Sequence, residues 1–269
     1  MKKNISKIYP KISVITPSYN QKDYLERTIL SVINQKYQNL EFIIIDGGST
    51  DGSIEIIEKY QEYIHYWISE KDSGQSNAIN KGIMHATGDW ICWQNSDDVF
   101  LDGCFEELCE VINENQDANL IFGNIILIDS DDILIRELNY VKPNFNSIFY
   151  EGMVISNQSA FWKKNVHIHI GYLSEKFTYA FDYDWFLRLS KLGKIIHVNS
   201  FWGAFRIQSM AKTSLFPEKY KSEFESIRNQ YGSTINLKWL YIFRRFMLLI
   251  LMGNFNYILR GIRRRFYFN

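Results

Sequence analysis

Apolar residues along this chain switch repeatedly between short unbroken runs and helical spacing. The first run, "ISVIT" at residues 12–16, predicts a strand buried on both faces. Leu25, Ile29, Val32 and Ile33 then recur at helical spacing after Asn20, a residue suited to capping a helix start. "LEFIIID" predicts a second buried strand, which runs into a glycine-rich turn where Asp51 or Ser53 can cap a helix bearing Ile54, Ile57 and Tyr60 on one side. "IHYWIS" predicts a third, short strand, "SNAINKGIMHA" a helix ending near Gly88, and "WICWQ" a fourth strand. Strand and helix alternating in this order require right-handed crossovers. They predict an α/β fold with a mostly parallel sheet flanked by helices.

In such sheets ligands bind outside the carboxyl ends of the strands. Three predicted strand ends here carry polar chemistry: "TPSYN", "DGGSTD" and "NSDD". The outline is that of a nucleotide-binding half-fold. Yet the turn "PSYNQ" has no GxGxxG, and no Walker A sequence occurs in the chain, so bare backbone does not cradle a diphosphate in either manner. Asp97 and Asp98 offer another route. Two adjacent carboxylates repel each other, and one or two carboxylates completed by phosphate oxygens and water hold Mg²⁺ or Mn²⁺. The competing reading is a solvated turn in which Asp98 or Asp102 caps the next helix.

Composition narrows the class. Of 269 residues, 46% are hydrophobic and 16% aromatic, which excludes a disordered chain and leaves room for one large domain with an appendage. Cys92, Cys104 and Cys109 have no metal-type spacing and are expected as reduced structural thiols. His167 and His169 alternate as on a strand, without a third ligand at suitable spacing. The first twenty residues lack an apolar core long enough for a signal peptide, so a cytoplasmic protein is expected.

The ordered set "ISVITPSYN", "IIIDGGSTDGS", "EKDSGQSNAINKGIMHATGDW" and "WQNSDD" resembles the family 2 glycosyltransferases of GT-A fold. The resemblance continues through "QSAFWKK", "FDYDWFLRLSKLGK" and "FRIQSMAKT", over roughly residues 11–215. It implies a metal-dependent, inverting transfer of a single sugar from a nucleotide-diphosphate sugar, expected to be UDP-linked, to a hydroxyl of a glycan or lipid-linked acceptor. Pro17 and Tyr19 would line the nucleotide pocket and Asp46 would accept a hydrogen bond from the base. Asp72, Gln75 and Asn77 would contact the sugar diphosphate. Asp98 would be the direct ligand of a divalent metal (Mn²⁺ or Mg²⁺), with Asp97 reaching ribose or sugar. Asp182 falls at the base position and Arg206 at a phosphate-side position. The chain departs from the family pattern at Phe181, where many relatives have Glu, and at Gln208, where many have His; the QxxRW motif of processive synthases is absent. Two other classes share parts of this pattern, a non-catalytic nucleotide-sugar binder and a sugar nucleotidyltransferase. The second normally wants a glycine- and base-rich first loop, which "TPSYNQ" is not.

Charge divides the chain. The formal net charge is zero, yet no acidic residue follows Glu225, while Arg228, Lys238, Arg244, Arg245, Arg260, Arg263, Arg264 and Arg265 are basic. A GT-A domain is therefore expected over residues 1–215, with donor half 11–100 and acceptor half 101–215, and a basic amphipathic helical tail over 216–269. The uncharged run from Phe246 to Leu259 is shorter than the roughly 18–20 residues of a membrane span. The tail is expected to lie on an anionic membrane surface at the inner face of the cell membrane, the alternative being a helix packed on the domain. Nucleic acid is not an expected partner, because the crevice is acidic.

Overall fold

The structure, a computed structural model, describes residues 8–208, 216–232 and 237–267, with side chains to residue 261. The end of the "FRIQSMAKT" stretch and the side chains of Arg263, Arg264 and Arg265 lie outside the described residues.

Four parallel strands form the first half of the sheet: β1 (Ile12–Ser18), β2 (Leu40–Asp46), β3 (Tyr66–Ser69) and β4 (Trp90–Trp93). Every residue of β1 and β4 is buried, as unbroken apolar runs covered on both faces require. The intervening helices are α1 (Lys22–Ile33), α2 (Ser53–Lys59) and α3 (Gln75–His85). Helix α3 packs so closely that a Cβ on Gly82 would stand 2.4 Å from Ile15 Cγ2.

Beyond β4 the sheet becomes mixed. It is built from β5 (Val99–Phe100), β6 (Ala118–Ile128), β7 (Leu134–Leu138), β8 (Ala160–Lys163) and β9 (Lys194–Arg206), in the order β3-β2-β1-β4-β8-β6-β9-β5 with β7 on β6. Four further helices serve this half: α4 (Cys104–Glu114), α5 (Phe145–Glu151), α6 (His167–Ile170) and α7 (Phe181–Leu189). His167 and His169 thus lie on a helical turn, not on the strand their alternation suggested. His167 Nε2 instead takes the indole N–H of Trp162 at 3.0 Å. All three cysteines are buried and free, as expected. Two apolar layers cover the sheet, one around Trp93, Trp162, Trp185 and Phe186, the other around Phe42, Phe105, Phe161 and Trp202.

The chain ends in α8 (Pro217–Gln230), α9 (Lys238–Leu251) and α10 (Phe255–Tyr267). Helix α8 packs into the core: Ile227 is fully buried and Phe224 stacks on Tyr183 of α7 at 4.0 Å. Helix α9 lies on α5, where Tyr241 stacks on Tyr150 at 5.4 Å.

Candidate active site

The order of the strands places a switch point beside β1. The chain runs outward through β2 and β3, then returns to β4 on the other side of β1. Helix α1, leaving β1, packs in the layer around Phe42 and Phe105, whereas α3, leading into β4, packs in the layer around Trp93, and crevices in open α/β sheets lie at such points. In register, Ser18 of β1 stands beside Asp46 of β2, and Ile15 beside Trp93 of β4. The three polar strand ends therefore reach one edge together.

A cavity of about 630 Å³ opens at that edge, and Pro17, Tyr19, Asp72, Gln75 and Asp97 line it. Ser18, Asn95, Phe205 and Gln208 contribute further wall. Tyr19 is 61% exposed, an aromatic face without a core to cover it. Asp72 is held by the loop before α3, its Oδ1 accepting the Gly74 N–H at 2.8 Å. Gln75 donates to Asn95 Oδ1 at 2.8 Å, tying the start of α3 to the end of β4. Gly47 lets the turn after β2 close against this wall: a Cβ there would stand 2.7 Å from Asp72 Oδ2 and 3.2 Å from the Tyr19 ring.

The two adjacent carboxylates have separated roles. Asp98 is fully buried, its Oδ2 accepting from Gln158 at 2.7 Å and Asn95 at 2.9 Å, its Oδ1 from the Arg206 backbone N–H at 2.8 Å. Burial pushes its carboxyl well above the usual carboxylate range, and the neighbouring Asp97 adds to the rise against those hydrogen bonds. Asp97 lines the cavity instead, and its Oδ2 accepts from the Gln208 amide. Asp98 was expected as the direct metal ligand with Asp97 reaching ribose or sugar; in the geometry three internal donors hold the Asp98 oxygens, and Asp97 is the one of the two on the cavity wall.

Asp46 and Arg206 are likewise bonded within the fold. Asp46 has no exposed surface and takes four donors from its own turn and from β3: Gly48 N at 3.0 Å, Ser49 N at 2.8 Å, Ser49 Oγ at 2.5 Å and Ser69 Oγ at 2.7 Å. A carboxylate offers about four acceptor sites, and these four donors let Asp46 organise the turn. The Arg206 guanidinium is also buried. It donates to the backbone oxygens of Asp97 and Asp129 at 2.8 Å each, meets Asp132 at 2.5 Å, and lies 5.0 Å from the Tyr24 ring. It clamps the 129–132 turn to the end of β4 and is not among the residues that line the cavity.

Asn77 lies beside the cavity, donating to Glu175 at 3.1 Å. Asp182 opens α7 and is also outside the cavity wall. Its neighbour Phe181 packs at the end of β4, with its ring 6.2 Å from Trp93. Burial pushes the Asp182 carboxyl up to about 6; the Tyr183 N–H opposes the rise and Glu223 adds to it. Glu223 of α8 accepts the N–H groups of Thr178, Tyr179 and Ala180 at 2.9, 2.7 and 2.9 Å, so α8 fixes the loop that presents Asp182. Gln158 and Gln208 entered only through the family resemblance, without a role, and local pattern did not single out Glu223. Their partners lie 60, 111 and 43–45 residues away.

Among the described residues no group of three or more His, Cys, Asp or Glu converges on a metal position. Asp97 beside the neutral amide of Gln208 on the wall suits Mg²⁺ or Mn²⁺, which bind through one or two carboxylates and complete their shell with phosphate oxygens and water. The residues present fit an ion that arrives with a diphosphate.

A covered α/β sheet with a polar cavity at the β1/β4 switch point is the architecture of the GT-A class. The chain belongs to glycosyl transferase family 2: residues 13–174 match the model of that family. It is 39% identical over 112 residues to a putative teichuronic acid biosynthesis glycosyltransferase, TuaG, of Bacillus subtilis, covering 40% of this chain and 44% of that one. An uncharacterized glycosyltransferase of Rickettsia typhi is 30% identical over 202 residues, covering 68% of this chain and 60% of its own. The chain thus spans less than two thirds of these relatives. In fold it is similar to S. aureus TarS residues 1–349 in complex with UDP-GlcNAc, with a TM-score of 0.66 at 18% identity over 81% of this chain and 65% of that one. It is also similar to the mannosyltransferase PcManGT from Pyrobaculum calidifontis in complex with GDP-Man and Mn²⁺, with a TM-score of 0.64 at 16% identity over 87% and 68%.

Proposed function

We propose that the protein is a glycosyltransferase that moves one sugar from a nucleotide-diphosphate sugar to a hydroxyl of a glycan or lipid-linked saccharide, with inversion at the anomeric carbon. The observation that carries this reading is the cavity itself, with an exposed tyrosine and the wall carboxylates Asp72 and Asp97 at the switch point. Tyr19 and Pro17 offer an apolar face for a nucleobase, and Asp72, Gln75 and the unpartnered Ser18 hydroxyl offer polar contacts to ribose and sugar. UDP-sugars are the first donors to test because TarS, of the same fold, was solved with UDP-GlcNAc.

Asp97 with Gln208 would hold a divalent ion, Mn²⁺ or Mg²⁺, whose contribution when bound is Lewis-acid neutralisation of the diphosphate. Asp98 orients Asp97 by anchoring the turn from inside. Asp182 takes the proton of the acceptor hydroxyl; a carboxyl raised to about 6 is a stronger proton acceptor than an ordinary one and is still ionised at neutral pH. Direct displacement with one base inverts the centre. The relation to a teichuronic acid biosynthesis protein supports a glycan acceptor. Among the described residues no helix is long and apolar enough to cross a membrane. We read residues 237–269 as a peripheral attachment to the cytoplasmic membrane face, where a lipid-linked acceptor and a nucleotide donor can meet.

The test is a screen of nucleotide sugars for metal-dependent donor hydrolysis by the full chain. Turnover of one donor, lost in chelator and in Asp97→Ala, is expected. Binding of no nucleotide diphosphate by the intact protein would overturn the reading.

A further inference from the structure

Helix α9 is inside out for a surface helix. Its arginines face the domain: Arg245 Nε lies 2.9 Å from Glu151, and Arg244 reaches Ser147 Oγ at 3.3 Å and the Lys142 carbonyl at 3.2 Å. Trp239, Leu240, Phe243, Phe246, Met247 and Leu251 face out, with Trp239 and Leu251 76% and 77% exposed. At 100° per residue these six positions fall within an arc of about 140° that contains no charged side chain. The exposure continues into α10 at Phe255 and Leu259, beside Arg260, which pairs with Glu137. Leaving this many large apolar side chains in water marks a surface built to be covered.

We propose that the outward arc of α9 is an insertion face for an anionic lipid surface, with the aromatic side chains at the headgroup boundary and the arginines of the tail above it. The proposal deepens the membrane reading given above and rests on it. Charge selects the occupant. Residues 237–269 carry seven basic residues and no acidic one, and among the described residues the ion pairs of their arginines run to Glu137 and Glu151. A second copy docked through the same face would set two such tails against each other, whereas an anionic leaflet supplies the missing charge. Aromatic and aliphatic residues on one face with basic residues in the same segment form the pattern of an interfacial helix.

Trp239 supplies the probe. The chain has seven tryptophans, and the other six are buried or half-buried within the domain, so quenching by bromine on lipid acyl chains reports Trp239. The full chain is mixed with vesicles of equal parts phosphatidylglycerol and phosphatidylcholine, with and without brominated chains. Expected are binding weakened by salt and quenching that disappears in Trp239→Phe. Expected too is a loss of about tenfold or more in vesicle affinity for Trp239→Ser with Phe243→Ser, at unchanged melting temperature. If the full chain does not bind anionic vesicles, the membrane reading itself fails. Binding without quenching, or unaltered by the double substitution, keeps the membrane reading and overturns the insertion face. A dimer by light scattering that the same double substitution splits, with vesicle binding intact, assigns the arc to a second copy and also overturns it.

Discussion

Asp98 Oδ1 accepts the backbone N–H of Arg206 at 2.8 Å, joining residues 108 apart in the chain. This bond, with those from Gln158 and Asn95, turns one of two adjacent carboxylates into an internal strut and leaves the other on the cavity wall. The proposed metal role and the structural role therefore fall to neighbouring residues.

That division predicts opposite phenotypes. Asp97→Ala is expected to abolish metal-dependent binding of a nucleoside diphosphate with little change in melting temperature, since its carboxylate is on the wall. Asp98→Ala leaves buried donors of Gln158, Asn95 and Arg206 without an acceptor and is expected to cost about 3 kcal/mol of stability. Calorimetric titration and thermal melting of both variants decide it; a stable Asp98→Ala that has lost only metal binding would restore Asp98 as the direct ligand.

Asp182→Asn is expected to keep donor affinity and lower turnover by roughly 10² to 10⁴. In the native enzyme turnover should rise as pH passes through about 6, because the carboxyl accepts a proton only when ionised. The same group makes stability fall across that range. Its folded-state pKa lies above the ordinary 3.8, so the folded state holds the proton more tightly, and that stabilisation is complete below the lower value and lost as pH rises through the higher. Melting curves of Asp182→Asn should lack this fall, and an identical pH profile in both proteins would remove Asp182 from the proton path.

Glu223→Ala should slow turnover more than it weakens donor binding, because it releases three N–H groups of the loop that presents Asp182 and touches nothing in the cavity. Loss of the neighbouring carboxylate also lowers the pKa of Asp182, so the acid limb of the turnover profile should move to lower pH. A variant that merely melts earlier, with kcat and its pH profile unchanged, would reduce Glu223 to a structural contact.

Gly47→Ala tests the donor wall. A methyl 2.7 Å from Asp72 Oδ2 must displace that side chain or the Tyr19 ring, and a several-fold rise in donor KM is expected with kcat nearly unchanged. Unaltered KM would mean that neither side chain contacts the donor.

Local pattern determined a good deal. The runs "ISVIT", "FIII" and "WICW" had to become strands covered on both faces, and their alternation with helical spacing left a crossover sheet as the solution. That placed "PSYN", "DGGS" and "NSDD" at one edge, and Pro17, Tyr19, Asp72, Gln75 and Asp97 do meet there. Composition likewise marked residues 237–269 as apolar and basic. The direction in which each polar side chain turns was decided elsewhere. Asp46, Asp98 and Arg206 look like site residues by position, yet each is buried and bonded within the fold. Periodicity reports which face of an element is covered; it does not report which distant donor arrives to satisfy a buried oxygen. Only the packing of β9, the 129–132 turn and the Gln158 segment against the end of β4 settled which carboxylate stayed in the wall. In α9, only docking on α5 turned the arginines inward and the aromatics out.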